Sequence, residues 1–466
     1  MLNRAKPYVD LARVIQELHS SDLRSDEHIA RYEERIRRLV GVPYCAATSQ
    51  GRAALLVGLK VLGVRKGDEI IVQSFICRTV VDTIAEVGAT PVLVDSCIDD
   101  FNVSPADIAK KVSEKTRAIV AVHLYGNPCD IEEIANIAME NDCYLIEDCA
   151  HTMGAKYAGK NVGSFGDIAF FSTNFDKPYS TGEGGVLAVA NESLLGGAEQ
   201  VIRRYERRSM EEEKRIVYGL LIQHLLTQRG MYAASLSIGY GAKLIREDSQ
   251  LFQLVDRLVS QNASEAKFTE DVYEYLTRTG DPRRQVLMER LKTAAPRFVV
   301  RSVRFGMQQL HKNVVSSEKT ERKDLLMGPL RAIVGNIGLD TLARVDRHRN
   351  EMARLFENRL EGIDGYKRPI VSQKKGPTFL RYSVLNRTRH PLQQISMAAR
   401  RKHVELGNYN WPKPVHLMAP YFFHNASQLK TSELIASNII NLPVHYYVNE
   451  KDVDTIVAVL EEFDRR

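Results

Sequence analysis

The sequence has few of the features that mark a secreted, membrane-spanning or nucleic-acid-binding protein. Its six cysteines all lie before residue 150 and form no C-x-x-C pair, which indicates neither a zinc site nor a thioredoxin-like motif, only reduced thiols. No apolar run reaches the roughly 18 residues of a membrane span, and the N-terminus lacks the apolar segment of a secretory signal. The net charge of +6, with acidic and basic residues interleaved, does not favour nucleic acid as a partner. The sequence therefore predicts a cytoplasmic protein.

What the chain does have is length and an apolar share of 44% over 466 residues, enough for two or three domains. Between about residues 40 and 195, short β-branched runs alternate with helical patterns, which is typical of βαβ units and a mainly parallel sheet. This predicts an α/β fold. The predicted strands are 69–72, 90–94, 118–123, 144–147, 168–172 and 185–189.

Beyond residue 200 the pattern changes to long, charged, helix-favouring segments. We predict a large domain over 1–200 with 321–341, a helical insertion over 201–320, and a small C-terminal α+β domain over 342–466. Two basic amphipathic stretches, 203–215 and 297–312, fall in the insertion. Packing on the body of the protein or on a second subunit accounts for them better than peripheral membrane contact, which stays open as the alternative.

The residues that carry chemistry follow two predicted strands. Residues 144–147 run into Asp148, beside Glu147, at a place where a buried carboxylate needs a cationic partner. The strand 168–172 ends at Ser172 and leads to Lys177, and a glycine-rich turn, 182–185, precedes the next strand. Polar residues at such strand ends are where an open α/β sheet binds its ligand.

A pyridoxal-phosphate (PLP) site needs these residue types. A lysine forms the imine, a carboxylate keeps the ring nitrogen protonated, and hydroxyls, amides or cations bind the phosphate. Lys177, Asp148, Ser172 and the turn at Gly51 and Arg52 can supply them. Taken singly, Lys177 fits a surface lysine and Asp148 a helix N-cap, so the prediction depends on their combination. The segment 154–160 imitates a nucleotide-binding P-loop but lacks the following Ser or Thr, which argues against nucleotide hydrolysis.

At this point the sequence resembles the DegT-type sugar aminotransferases of PLP fold type I. That family shows a strand ending in E-D-x-A-[QH], then G-A-x-Y-x-G-x-x-V-G-S-x-G-D, then F-S-x-x-x-K-x-x-x-x-G-E-G-G. Residues 147–151, 154–167 and 171–185 of this chain match these motifs in order. Residues 414–421 and 441–445 look like the family's small-domain motifs.

The resemblance implies a role for each matching position. It implies that Lys177 forms the Schiff base with PLP and moves the proton, and that Asp148 binds the pyridinium nitrogen. Ala150 would lie under the ring, and His151 would reach the phenolic oxygen, although His151 also fits an interior, hydrogen-bonded histidine. Ser172 and the Gly51 turn would bind the phosphate.

The chain departs from the family pattern at three positions. Cys77 stands where an aromatic residue usually stacks on the ring. Arg52 replaces a threonine at the phosphate turn, where a guanidinium pairs well with phosphate. In the loop that reaches the partner subunit's phosphate, either Asp324 replaces the usual asparagine or the insertion displaces it. His123, His416 and His445 lie in motif-like segments, and packing explains them as well as ligand contact does.

The function implied by the resemblance is transamination from an amino donor, glutamate, to a keto sugar that is commonly nucleotide-linked, in a homodimer. Two alternatives stay open. A PLP-dependent sugar dehydratase would replace the Schiff-base lysine with histidine, so Lys177 argues against it. A regulatory or scaffold protein of the same fold would have lost turnover, and Cys77 and Asp324 are its support.

Overall fold

A computed structural model describes most of the chain. The described residues are 2, 6–227, 245–246, 248–277, 324–407, 411, 413–418 and 429–464. The predicted basic stretch 297–312 lies outside these residues.

The larger core is built on a seven-stranded sheet. The strands of this part of the chain are β1 (Tyr44–Thr48), β2 (Glu69–Gln73), β3 (Thr90–Val94), β4 (Thr116–Val122), β5 (Tyr144–Asp148), β6 (Lys156–Tyr157), β7 (Lys160–Asn161), β8 (Ile168–Ser172) and β9 (Gly185–Val189). The order in the large sheet is β1-β9-β8-β5-β4-β2-β3, and β6 and β7 form a separate hairpin. The pairs that join β3, β2, β4, β5 and β8 are parallel, whereas β9 is antiparallel to both β8 and β1. The mainly parallel sheet is therefore confirmed.

Helices cover both faces of this sheet, so its central strands are buried on both sides and read as continuous apolar runs. The helix Gly51–Val61 packs against β8 and β9 and begins at the carboxyl end of β1. The remaining helices of this part are Leu11–Ser20, Glu27–Val40, Arg78–Glu86, Pro105–Lys111, Ile131–Glu140 and Leu195–Ile202.

A smaller core lies at the C-terminal end of the chain. It packs around a three-stranded antiparallel sheet in the order β10 (Tyr366–Lys367), β12 (Tyr382–Asn386) and β13 (Ile439–Leu442), while β11 (Lys375–Gly376) pairs with β6. The predicted domain division stays a proposal, and one continuous helix, Pro329–Arg359, crosses its 341/342 boundary. The other helices here are Leu392–Arg401, Val415–Met418, Lys430–Asn438 and Glu450–Asp464.

The described part of the predicted insertion forms three helices: Met210–Leu226, Ser249–Ser260 and Glu265–Thr277. Met210–Leu226, which we call the insertion helix, begins with a reciprocal Ser209–Glu212 capping box. Its residues are almost all buried from Ile216 onward, in an apolar cluster shared with the N-terminal helix and the start of Pro329–Arg359. For this helix, packing on the body is the interpretation that holds. Within the described residues, no helix is long and apolar enough to cross a membrane.

Gly126 illustrates how tightly the two cores meet. Its φ is +94°, and a Cβ at this position would lie 2.5 Å from the amide nitrogen of Leu380. We expect Gly126→Ala to lower the free energy of unfolding by about 1–3 kcal/mol or more, since backbone strain and overlap add. Gly159→Ala is the matched control, because Gly159 has φ +82° but nothing within 4 Å. Equal losses in denaturant unfolding of the two variants would contradict the close approach.

Candidate active site

A cavity of about 610 Å³ opens at the carboxyl ends of the central strands, and eight residues predicted from the sequence line it. Strand ends β5 and β8 and the start of the helix Gly51–Val61 form its base. The predicted residues that the structure brings together here are Gly51, Arg52, Cys77, Asp148, Ala150, His151, Ser172 and Lys177.

Lys177 lies in the segment between β8 and β9. Its side chain is only 9% exposed, and its Nζ lies 3.5 Å from Oδ1 of Asp176. The backbone N–H of Lys177 donates to the carbonyl of Asn174, so a tight turn holds the lysine against the cavity. A lysine this buried is not the solvated surface group that the residue alone would suggest.

Asp148 ends β5, is buried and lines the same cavity. Its Oδ1 accepts a hydrogen bond of 3.0 Å from the backbone N–H of Ala150. Burial raises the pKa of Asp148 to about 6, although the charge of Lys177 opposes this shift. A buried carboxylate whose charge is only partly offset suits a cationic ring nitrogen as its partner.

The third part of the cavity fits a phosphate. The helix Gly51–Val61 begins here, and its N-cap residue Gln50 makes no side-chain capping bond, which leaves the first-turn amides facing the cavity. A Cβ at Gly51 would lie 3.1 Å from Cβ of Ser172, so the turn and the strand end form a close cradle. Amides, a hydroxyl and the guanidinium of Arg52 are the donors that a phosphate monoester requires.

His151 belongs to an aromatic group on the cavity wall. Its ring stacks on Tyr125 at 5.8 Å and on Trp411 at 5.5 Å. Its Nδ1 accepts from the backbone N–H of Tyr125, and burial, with the charge of Lys177, holds the pKa of His151 well below its usual range. Neutral His151 therefore carries its proton on Nε2. Cys77 lines the cavity at the N-cap of the helix Arg78–Glu86.

The cavity residues that were not predicted from the sequence include Asp176, Glu183, Arg381 and Trp411. Asp176 lies between Lys177 and Arg381, at 3.5 and 3.4 Å. Burial alone would raise the pKa of Asp176, but these two cations lower it to about 2, so the carboxylate stays ionised. Adjacency to Lys177 was the one available signal. Arg381 and Trp411 come from the distant C-terminal part of the chain, which no local motif indicates.

The other histidines and Asp324 do not line this cavity. His123 contacts Glu147 through Nε2 at 3.1 Å, and its Nδ1 accepts from the N–H of Cys129. Glu147 also accepts the amides of Gly163, Phe165 and Gly166. Although His123, Glu147 and Cys149 lie close together, these bonds occupy the histidine and carboxylate, which makes the group a structural network and not a metal site.

His416 and His445 are likewise held by structural contacts. His416 contacts Ser74 and Glu433, and His445 accepts from the N–H of Tyr447. Asp324 lies 3.5 Å from Arg208. Lys160 of the P-loop-like segment donates to the carbonyl of Ser164 in a turn after the β6–β7 hairpin. The packing interpretation accounts for His416 and His445, which are both buried.

Comparison with known proteins finds relatives among sugar aminotransferases. A model of the DegT/DnrJ/EryC1/StrS aminotransferase family matches residues 8–231 and 300–461. GDP-perosamine synthase of Escherichia coli O157:H7 is 41% identical over 167 residues, which are 36% of this chain and 46% of that protein. The dTDP-3-amino-3,6-dideoxy-alpha-D-galactopyranose transaminase of Aneurinibacillus thermoaerophilus is 37% identical over 174 residues, 37% of this chain and 48% of that protein. The chain thus spans about half the length of these curated relatives.

Solved structures share the architecture over the whole chain. DesV of S. venezuelae superposes with a TM-score of 0.68 at 18% identity and covers 99% of both chains. At this identity the likeness concerns the fold, which is that of PLP fold type I enzymes.

Proposed function

The chain belongs to the DegT/DnrJ/EryC1/StrS aminotransferase family, and from this premise we propose that it is a PLP-dependent aminotransferase acting on a keto sugar. The observation that carries the proposal is the placement of Lys177 and Asp148 on the wall of one cavity that also presents the Gly51 turn and Ser172. These residues match the three requirements of the cofactor: an amine, a carboxylate and a phosphate cradle.

When bound, PLP supplies an electron sink for the carbon that exchanges its amino group. The chain would hold it at three points. Nζ of Lys177 would attach the cofactor covalently and, once released, would carry the proton between the reacting carbons as general base and acid. Asp148 would hold the proton on the ring nitrogen, and the Gly51 turn with Arg52 and Ser172 would bind the phosphate.

Neighbouring residues would control these groups. Asp176 stays ionised and would place a negative charge 3.5 Å from Nζ of Lys177. His151 can donate through Nε2 to an oxygen of the ring, because its Nδ1 is already an acceptor. Ala150 and Cys77 are small enough to leave space for a flat ring, and Trp411 offers the aromatic surface that Cys77 does not.

For the substrates we propose glutamate as amino donor and a nucleotide-linked keto hexose as acceptor, in a homodimer. Support for the acceptor comes from the names of the relatives, which make GDP- and dTDP-linked amino sugars. The cavity is large enough for a sugar above the cofactor, since pockets for small molecules commonly measure about 300–1,000 Å³. Glutamate and the homodimer follow from the family resemblance.

The test is a half-reaction followed by absorbance. We expect the purified protein with PLP to show a visible band from the lysine-linked cofactor, and we expect glutamate to bleach it as the amino group is transferred. Adding a nucleotide-linked keto hexose should then restore the band. D-Glutamate is the control for a specific donor site.

Two other outcomes of this experiment would indicate a different function. A band that glutamate leaves unchanged while the keto sugar loses water would indicate a dehydratase. A protein that shows no band with PLP would be a scaffold of this fold, and the proposed function would be wrong.

A further inference from the structure

The insertion helix Met210–Leu226 contacts the wall of the cavity through a buried ion pair. Glu213, in its first turn, and Arg331, in the first turn of Pro329–Arg359, are 1% and 0% exposed. Nε of Arg331 donates to Oε1 of Glu213 at 2.8 Å, and the amides of Gly328 and Arg331 point at the same carboxylate. Glu213 therefore also caps the helix Pro329–Arg359 with negative charge.

The other end of Arg331 reaches the backbone on either side of the phosphate cradle. Its Nη1 donates to the carbonyl of Ser49 at 3.0 Å and to the carbonyl of Glu183 at 3.1 Å. The residues that follow Ser49 in the chain, Gln50 and Gly51, line the cavity. Glu183 and the following Gly184 line it as well. One buried guanidinium thus ties together the two turns that border the predicted phosphate site.

A second set of contacts from the same region reaches the side chain of Glu183. Arg208, just before the insertion helix, donates to Oε2 of Glu183 at 2.9 Å, as does Gln50. Arg246, from another part of the insertion, donates to Oε1 at 3.1 Å. The carboxylate of Glu183 is therefore held by cations of the insertion on one side and by the phosphate turn on the other.

The insertion helix also contacts the backbone of the glycine turn directly. Gly182 has φ +83°, and a Cβ there would lie 2.8 Å from Cγ2 and 2.9 Å from the carbonyl oxygen of Ile216. The insertion helix therefore rests directly on the glycine turn that forms this side of the cavity. Because the fit is at van der Waals distance, a shift of the helix must move the turn.

We propose that the insertion helix is a positioning element of the cofactor site, which acts through Glu213 and Arg331 to hold the Gly51 and Gly184 turns in the arrangement that binds a phosphate monoester. This inference rests on the proposed function. It assigns to the insertion helix a specific task, the selection of phosphorylated over unphosphorylated cofactor, because Arg331 bonds the carbonyl of Ser49, two residues before Gly51 of the phosphate cradle.

The test compares two ligands that differ only in the phosphate. Pyridoxal has the carbonyl and ring of PLP but no phosphate, so it reports the rest of the site. The double variant Glu213→Gln with Arg331→Met removes both buried charges and keeps an oxygen to cap Pro329–Arg359, a replacement that buried ion pairs often tolerate. Lys214→Met is the matched control, since it breaks an ion pair of the same helix with Asp256 that lies away from the cavity.

We expect the double variant to bind PLP about 10-fold more weakly, the loss of one or two well-placed charge-assisted hydrogen bonds, and pyridoxal within about 2-fold of the original protein. Lys214→Met should leave both affinities unchanged. Absorbance titration of cofactor-depleted protein measures them.

An unchanged affinity for PLP, or equal weakening for both ligands, would overturn the inference. If the double variant fails to fold, Arg208→Met, which removes a partly exposed contact to Glu183, decides by the same ratio of affinities. If the original protein binds neither PLP nor pyridoxal, the proposed function is wrong. Failure of the proposed function and failure of the inference on the insertion helix therefore give different results.

Discussion

Lys177→Ala is expected to abolish the visible absorbance of the cofactor-loaded protein and to reduce transamination by about 10²–10⁴-fold or more, the contribution of a positioned acid–base group. The reason is that Lys177 provides the buried amine of the cavity, with Nζ 3.5 Å from Asp176. Without it the cofactor can still lie between Asp148 and the Gly51 turn but has no covalent link. Absorbance spectra and steady-state rates measure the two effects.

Two further variants make this result specific. Lys177→Arg preserves a cation beside Asp176 but offers no amine of usable basicity, so it should fail like alanine. Lys160→Ala removes the other lysine that the sequence placed in a ligand-like motif, and its Nζ contacts the carbonyl of Ser164 outside the cavity. Retention of a glutamate-sensitive band in Lys177→Ala, or its loss in Lys160→Ala, would show that the covalent site is elsewhere.

Asp148→Asn should lower activity by about 10- to 100-fold, because it removes one charge-assisted interaction with the ring nitrogen. An amide can still fill the space and accept from Ala150, so PLP should bind and give a visible band. The defect should therefore appear in the rate of the half-reaction and not in cofactor occupancy. Single-turnover mixing with glutamate measures that rate. An unchanged rate would show that Asp148 does not bind the ring nitrogen.

The same variant should make the cofactor-free protein more stable at high pH. Burial raises the pKa of Asp148 from 3.8 to about 6, so the folded state binds its proton more tightly than the unfolded state does. Stability is therefore lost as the pH rises from about 3.8 through 6, by about 3 kcal/mol at one pKa unit per 1.36 kcal/mol. Asparagine does not titrate, so Asp148→Asn should exceed the original protein in unfolding free energy at pH 8 and match it well below pH 4.

Asp346→Asn separates this effect from catalysis. Burial likewise raises the pKa of Asp346, to about 7, but the residue does not line the cavity. The Asp346→Asn protein should therefore have a higher free energy of unfolding than the original protein at pH 8 and the same activity. If Asp148→Asn gains no stability at pH 8 relative to low pH, the buried carboxylate is already compensated in the free protein.

Much of the sheet could be predicted because parallel strands buried on both faces leave a continuous apolar signal. The predictions for Thr90–Val94, Ile168–Ser172 and Gly185–Val189 are confirmed to the residue. Tyr44–Thr48 was missed as a strand. It is an edge strand rich in alanine, held by antiparallel pairing with β9, and such pairing depends on residues distant in sequence. The family, the fold class and the PLP cofactor predicted from the motifs are confirmed.

For the site, prediction from the sequence reached residues whose chemistry and motif coincide within a few residues of a strand end. Lys177, Asp148 and Ser172 are of this kind, and the structure brings them together, while their roles stay proposals. It failed where a residue acts across long sequence distance. Arg331 contacts Ser49 and Glu183 by hydrogen bonds over 282 and 148 residues, and nothing in the residues around it indicates that pairing.

The helix Pro329–Arg359 has a consequence for how this protein can be divided. By the rise of an α-helix its 31 residues span about 46 Å. Near its start Arg331 contacts the two turns beside the cavity, and further along Arg349 donates to the carbonyls of Phe379 and Leu380 in the smaller core. One continuous helix therefore contributes to both cores. One residue inserted in the middle of this helix would rotate one end against the other by about 100°. Replacing either core by that of a relative at the 341/342 boundary would therefore misalign the two cores.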